Sequence, residues 1–285
     1  MRRFTQALYV LQCISSCSLA QGPTHTPLVI LPLGDSITFG IDSSDGNGYR
    51  QDLERLIETR VAIQYVGSVR AGSMADNANE GHPGFRIDEI AVQATQNFKT
   101  APNVVLLMAG TNDILQNRDV ATAPDRLAAL IDQLVAGIPT AAILVATLTP
   151  LLAAALEAER VTYNEAIPGI VRERAQAGKL VQVVDMSSVA TTGIDSVDGI
   201  HPNDDGYAMM AQAWYAGVIE AASNGWIRVG NATTGNLTMV DSSSFAPVSS
   251  TTPAGSIAAP MFMPMSICTH LSLSITFMFL FSVFR

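Results

Sequence analysis

Four short blocks, in the order Ser, Gly, Asn and Asp/His, carry the residue types that acyl-transfer chemistry needs. The first block is Gly34-Asp35-Ser36, which follows an apolar run over 28–33. An apolar run of that length that ends at a glycine is typical of a buried strand entering a turn. Ligands of open parallel sheets bind at the carboxyl ends of the strands, so we expect Ser36 there as an exposed nucleophile. Gly, Asp and Ser also dominate ordinary turns, and the tripeptide alone does not establish a function.

A serine hydroxyl becomes an effective nucleophile only when a base removes its proton. The chain has four histidines. His25 lies in the N-terminal lead-in and His270 in a C-terminal apolar tail, which leaves His82 and His201 as candidate bases. His201 lies between the last predicted strand and the last predicted helix, and therefore at the same edge of the sheet as Ser36.

Asp198 stands three residues before His201. In a turn, its carboxylate can accept a hydrogen bond from the imidazole, fix the tautomer and stabilise the imidazolium. Two alternatives remain for this block: a helix start capped by Asn203 or Asp204, or half of a metal site. No second cluster with ligand spacing appears in the sequence, so we expect neither a metal nor a cofactor.

The remaining two blocks can supply donors for a developing oxyanion. Asn112 follows the third predicted strand, and its side-chain amide can serve as one donor. A glycine N–H in the stretch Gly81-His82-Pro83-Gly84-Phe85, before the predicted helix 87–98, can serve as another. Each block could also be a simple turn, but four such blocks at one sheet edge are poorly explained by turns.

Together the blocks resemble those of the SGNH, or GDSL-type, hydrolase superfamily, and most closely its carbohydrate esterase family 3, the acetyl xylan esterase-like branch. The resemblance covers roughly 27–222. It rests on the unbroken Gly-Asp-Ser-Ile-Thr-x-Gly and on Glu-Gly-His-Pro-Gly, with the other two blocks in order. The motifs are Gly34-Asp35-Ser36-Ile37-Thr38, Glu80-Gly81-His82-Pro83-Gly84, Gly110-Thr111-Asn112-Asp113 and Asp198-Gly199-Ile200-His201-Pro202.

The resemblance implies a nucleophile at Ser36, a general base at His201 and an orienting carboxylate at Asp198. It also implies an oxyanion hole made of the Ser36 and Gly84 amides and the Asn112 side chain, with Gly81 and Gly67 as alternatives to Gly84. The implied reaction is a two-step hydrolysis through an acyl-serine intermediate, without a metal.

Three residues near these blocks are assigned to substrate contact. They are Asp35, His82 and Phe85. His82 has no acidic partner at the three-residue spacing seen before His201, so we assign it a structural or substrate-side role.

Five apolar strand-like runs alternate with five amphipathic helical patterns. This alternation predicts an α/β fold: a three-layer α/β/α sandwich with a five-stranded parallel sheet, flavodoxin-like in topology, within a catalytic domain over 27–228. The predicted strands are 28–33, 62–66, 104–108, 142–147 and 180–184; the predicted helices are 49–59, 87–98, 123–135, 157–177 and 204–223.

Both ends of the chain carry processing signals. Basic residues, a short apolar run and small residues over 1–20 predict a signal peptide cleaved after Ala20. The segment 257–285 ends in an apolar tail and follows a small-residue triplet, which favours a glycosylphosphatidylinositol anchor signal over a transmembrane helix. All three cysteines fall in these two segments, so we expect a domain without disulfides.

A Ser/Thr-rich stalk is predicted between the domain and the tail, over 229–256. It carries two glycosylation sequons, at Asn231 and Asn236. With the signal peptide, these features predict a secreted glycoprotein held at the cell surface through its C-terminal anchor.

Charge limits the range of partners. The chain has 16 Lys and Arg against 25 Asp and Glu, a net charge of −9, and no basic cluster, which argues against nucleic acid. Small polar loops near the predicted site favour an acylated polysaccharide, and we expect a monomer. Two alternatives stay open: a lipid or short-chain carboxylester hydrolase, and a non-catalytic glycan-binding protein of the cell wall.

Overall fold

The computed structural model describes residues 27–58, 61–230 and 237–239. Several predicted features lie outside the described residues. They are the signal peptide 1–20, the sequons at Asn231 and Asn236, the anchor segment 257–285, and the stalk apart from 229–230 and 237–239.

A parallel sheet forms the centre of the domain. Five strands lie in the order β2-β1-β5-β6-β7, all parallel, which is the flavodoxin-like order predicted from the sequence. The seven strands of the sheet are β1 (Leu28–Gly34), β2 (Ile63–Tyr65), β3 (Val69–Arg70), β4 (Ala78–Gly81), β5 (Val104–Met108), β6 (Ala142–Ala146) and β7 (Val181–Val184).

The sheet is larger than the five strands predicted. β4 pairs in parallel with the carboxyl half of β1, with Gly81 opposite Gly34, whereas β2 pairs with the amino half of β1. β3 then pairs with β4 in the antiparallel sense. β4 has the sequence Ala-Asn-Glu-Gly and β3 is two residues long. Neither carries the apolar run by which strands are detected in a sequence, so only the pairing of β4 with β1 and of β3 with β4 defines them.

Helices cover both faces of the sheet. α2 packs against α7, while α3 packs against α5 and α5 against α6. The five long helices are those predicted, with ends shifted by three residues or fewer. The helices are α1 (Ser36–Phe39), α2 (Tyr49–Glu58), α3 (Ile87–Gln96), α4 (Thr111–Leu115), α5 (Ala123–Gly137), α6 (Ala154–Gln176) and α7 (Asp204–Ser223).

The central strands are apolar throughout because helices cover them on both sides. Every residue of β5 and β6 is buried. No helix within the described part of the chain is long and apolar enough to cross a membrane.

One short hairpin-like pair lies where the sequence predicts a stalk. β8 (Arg228–Gly230) pairs with β9 (Leu237–Met239) in the antiparallel sense. Its Ser/Thr-rich surroundings show no apolar period, so the backbone pairing has no counterpart in the hydropathy pattern.

Candidate active site

The nucleophile candidate lies at the turn between β1 and α1. Asp35 caps α1 by accepting a hydrogen bond from the Ile37 amide (3.0 Å), and Ser36 is the first residue of the helix. Gly34 is required before it, because a Cβ at that position would lie 2.4 Å from the Met108 carbonyl oxygen of the neighbouring strand. The close approach of β5 thus fixes where the Ser36 turn begins.

Ser36, His201 and Asp198 form a continuous hydrogen-bonded line. Ser36 Oγ lies 2.7 Å from His201 Nε2, and His201 Nδ1 is hydrogen-bonded to Asp198 Oδ2. Ser36 is 7% exposed, so the nucleophile is largely buried and not exposed as expected from the sequence. The predicted contact between Ser36 and His201, which lie 165 positions apart in the sequence, is therefore present.

The loop before α7 holds the Asp198 carboxylate in place. Asp198 Oδ1 accepts hydrogen bonds from the Ile200 amide (2.8 Å) and the His201 amide (3.1 Å). Partial burial opposes its ionisation, but the His201 and backbone hydrogen bonds outweigh that effect and hold the pKa of Asp198 below its ordinary value. Asn203 caps α7 through the Gly206 amide, so the block is both a capped helix start and part of the triad.

Three candidate donors lie at Ser36 and on the segments that follow β4 and β5. The Asn112 side-chain amide donates one hydrogen to the Phe85 carbonyl (3.0 Å), which leaves its second hydrogen available. Among the described residues, the amides of Ser36 and Gly84 donate to no acceptor. Gly81 does not fit as the donor, because its amide is bonded to Asn79 Oδ1 (2.9 Å).

The third candidate glycine also lies away from this loop. Gly67 stands just before β3, with its Cβ direction blocked by the Asn79 backbone at 2.0 Å. Gly84, by contrast, is exposed and has φ +82°. Gly84 therefore remains the glycine that the geometry favours.

Gln116 was missed by sequence reasoning. Its Nε2 donates to the Gly84 carbonyl (2.8 Å), and its Oε1 accepts from Arg86 (2.9 Å). Gln116 is the C-cap of α4 and follows Asn112 by four residues, and both side chains donate to carbonyls of the loop that carries Gly84. That four-residue spacing is the signal that could have identified it.

A buried ion pair fixes α4 relative to the next two helices. The fully buried Asp113 carboxylate accepts from the Ile87 amide (3.0 Å) and from Arg126 (2.7 Å). Asp113 thereby connects the first turns of α3, α4 and α5.

The assignment of Asp35 to substrate contact is wrong. Asp35 is fully buried, and one of its oxygens caps α1. Burial raises its pKa to about 6, against the opposing influence of the Ile37 amide, the Thr111 side chain and the His201 charge. The residue supports the Ser36 turn from inside the protein.

His82 has an acidic partner, but at a two-residue spacing and not at the three-residue spacing considered in the sequence. His82 Nε2 lies 2.7 Å from Glu80 Oε1, because residues two positions apart in an extended chain project from the same face. Glu80 is fully buried and also accepts from the amide (2.6 Å) and hydroxyl (2.9 Å) of Ser68. The His82 ring stacks on Phe85, with centroids 4.8 Å apart.

Asp42 lies close to the triad and was not predicted. The ligand atoms of Asp42, Asp198 and His201 lie within 4.8 Å of one another. Asp198 and His201 already form the hydrogen-bonded line with Ser36. An acidic cluster of this kind does not by itself indicate a cation.

Comparisons with known proteins agree with this geometry. A model of the GDSL-like lipase/acylhydrolase family matches residues 30–214. A family 3 carbohydrate esterase from Clostridium thermocellum is 35% identical, with a TM-score of 0.61 over 67% of this chain and 94% of that one. A second family 3 carbohydrate esterase, from Talaromyces cellulolyticus, has a TM-score of 0.59 over 68% of this chain and 97% of that one; at 23% identity it shows the fold alone.

Curated relatives match over less of their length. A multidomain esterase from Ruminococcus flavefaciens is 28% identical over 216 residues, which is 65% of this chain but 28% of that protein. A second relative, from Acetivibrio thermocellus, is 37% identical over 122 residues, or 42% of this chain and 51% of its own length. The chain spans about a quarter to a half of these two relatives. Since the family model covers more than half of the chain and includes all four blocks, the chain belongs to the GDSL-like lipase/acylhydrolase family.

Proposed function

We propose that the protein is a serine esterase that hydrolyses carboxylic esters, with acetyl esters on polysaccharide as its substrates. The observation that carries the proposal is the 2.7 Å contact between Ser36 Oγ and His201 Nε2, with Asp198 bonded behind the imidazole. This is the arrangement that activates a serine hydroxyl.

In the first step, Ser36 Oγ attacks the ester carbonyl carbon while His201 Nε2 takes the hydroxyl proton. The negative charge moves to the carbonyl oxygen, where the amides of Ser36 and Gly84 and the second hydrogen of Asn112 Nδ2 can bind it. Collapse of this intermediate breaks the ester C–O bond. The imidazolium returns its proton to the leaving alkoxide, and the alcohol departs from an acyl-Ser36.

In the second step, water attacks the acyl carbon and gives a proton to His201. Collapse releases the carboxylic acid and restores the Ser36 hydroxyl with the proton held by the imidazole. Asp198 keeps the Nδ1 hydrogen directed toward itself in both steps, so Nε2 always faces the reaction.

Two observations support a sugar ester as the substrate. The 35% identical protein of known structure is named a family 3 carbohydrate esterase. In addition, the His82–Phe85 ring pair lies on the loop that carries Gly84. With Nε2 directed at the Glu80 carboxylate, the other ring nitrogen of His82 is available to hydrogen-bond a hydroxyl, while the ring faces offer apolar area.

We also propose that the enzyme acts outside the cell. The support is the sequence of the two ends, with its predicted signal peptide over 1–20, the anchor segment 257–285 and two sequons between the domain and the tail. Release of the protein from membranes by a phosphatidylinositol-specific phospholipase tests the anchor. Extraction by detergent alone would contradict it.

The function is tested by comparing acetate release from acetylated xylan with fatty-acid release from lysophospholipid. We expect acetate release by the wild-type protein and none by Ser36→Ala, while the exposed helix-end variant Ser223→Ala retains activity. A fluorophosphonate should label the wild-type protein but not Ser36→Ala. Preferred release of fatty acid would favour the lipid hydrolase, and absence of both turnover and labelling would favour a glycan-binding protein.

A further inference from the structure

We propose that Asp42 is a second carboxylate partner of the His201 imidazole and acts as a positioning residue for it. This inference rests on the proposed esterase function and adds a residue that the four sequence blocks do not contain. Asp42 is expected to act through His201 and not by contact with the substrate.

The geometry places two carboxylates on one ring nitrogen. Asp42 Oδ2 lies 3.6 Å from His201 Nδ1, the same atom that is hydrogen-bonded to Asp198. The Asp42 side chain is 37% exposed and that of Asp198 is 31% exposed. Partial burial and the adjacent Asp198 charge raise the pKa of Asp42, and the His201 charge opposes that rise. The three groups are therefore close enough to influence one another's charge.

The backbone holds Asp42 at this position. The Ser36 carbonyl accepts from the amides of Gly40 (3.0 Å) and Ile41 (3.1 Å), so the chain leaves the nucleophile's own turn along a fixed path. The Ile41 carbonyl in turn accepts from the buried Tyr207 hydroxyl (2.6 Å) on α7. Asp42 comes next in the chain and is held by these bonds on its N-terminal side.

Asp42 also adopts an uncommon backbone conformation. Its φ of +65° lies in the left-handed region. Asp and Asn enter this region more readily than most residues. Strained backbone that persists in a well-ordered loop often accompanies a functional requirement. In this loop, the requirement is that the Asp42 carboxylate points at His201 Nδ1, 3.6 Å away.

The chemical consequence concerns the imidazolium formed in each proton transfer. The Asp198 carboxylate accepts hydrogen bonds from two backbone amides as well as from the imidazole. A second negative charge at 3.6 Å stabilises the imidazolium further. Two further carboxylates act on this unit: Asp35 lies near His201, and Asp195 lies near Asp42.

The test compares Asp42→Asn and Asp42→Gly with the control Asp119→Asn. Asn keeps the side-chain shape and Gly keeps the left-handed backbone, so a shared effect identifies the carboxylate. Asp119 is matched because it also has a left-handed φ (+40°), yet its side chain is 70% exposed and pairs with Arg118. The His201 imidazole is followed by nuclear magnetic resonance as a function of pH, with the signal assigned by its loss in His201→Gln.

We expect both Asp42 variants to move the midpoint of the imidazole titration to lower pH by about 0.5 to 1 unit. The acid limb of kcat/KM should move in the same direction, and kcat should fall about 3- to 10-fold with little change in KM. Asp119→Asn should match the wild-type protein in every measurement.

Titration curves of both Asp42 variants that coincide with the wild-type curve would overturn the inference. A shift in Asp42→Asn that is absent in Asp42→Gly would also overturn it, since the effect would then come from the new side chain. The nuclear magnetic resonance titration can be measured on a protein that has no catalytic activity, so it tests this inference independently of ester hydrolysis. A wild-type protein that hydrolyses esters while the Asp42 variants are unchanged refutes this inference alone, whereas a wild-type protein without turnover or fluorophosphonate labelling refutes the proposed function.

Discussion

The conversion of Asp35 to Asn should stabilise the protein at neutral pH and leave its stability nearly unchanged in acid. Asp35 is fully buried behind the Ser36 turn, and burial raises its pKa from 3.8 to about 6. Asn is nearly isosteric and can still accept the hydrogen bond from the Ile37 amide that caps α1. The substitution therefore removes the charge without removing the cap.

The magnitude follows from the difference between the folded and unfolded pKa values. A rise of about two units corresponds to about 3 kcal/mol of folding free energy, at about 1.4 kcal/mol per unit. As pH rises from about 4 to about 6, the unfolded chain loses the Asp35 proton before the folded chain does, so the wild-type protein loses stability. Above about pH 6 the loss is constant, and below about pH 4 both states are protonated and the loss disappears. For a domain of this size, about 3 kcal/mol corresponds to about 6 to 12 °C in Tm.

The assay is urea unfolding at pH 4, 5, 6 and 7.5, with Asp119→Asn as an exposed control. The free energy of unfolding of Asp35→Asn should exceed that of the wild-type protein by about 3 kcal/mol at pH 7.5 and by well under 1 kcal/mol at pH 4. A difference that does not vary with pH would show that the Asp35 carboxyl is not a buried titrating group. A less stable variant at pH 7.5 would show that the carboxylate receives compensating contacts.

Three further substitutions test the oxyanion loop and its support. Asn112→Ala should lower kcat by about 10²- to 10³-fold in steady-state assays if its amide binds the oxyanion; an unchanged kcat would exclude that role. Gly84→Ala meets no atom within 4 Å at its Cβ, but its φ of +82° should cost about 1 to 2 kcal/mol in urea unfolding; equal stability would contradict the left-handed conformation. Arg126→Ala leaves the buried Asp113 charge without its partner, which should cost about 3 to 5 kcal/mol; a loss under about 1 kcal/mol would show that Asp113 is otherwise compensated.

The sequence by itself determined the layers of the fold and the main site residues. Apolar runs and helical periods have the length of single elements, so local composition was enough to place the five main strands and the five long helices. The Ser36, Asn112 and His201 blocks were identifiable because each follows a predicted strand of one parallel sheet, and parallel strands bring their carboxyl ends to one edge.

Only the tertiary structure decided which groups around those blocks contact one another. β4 is polar and became a strand by pairing with β1, and that extended conformation places Glu80 and His82 on the same face of the chain. The contact of Asp42 with His201 spans most of the chain and follows from a left-handed residue and a Tyr207 hydrogen bond. Such contacts have no local pattern, since they arise from packing between elements that are distant in sequence.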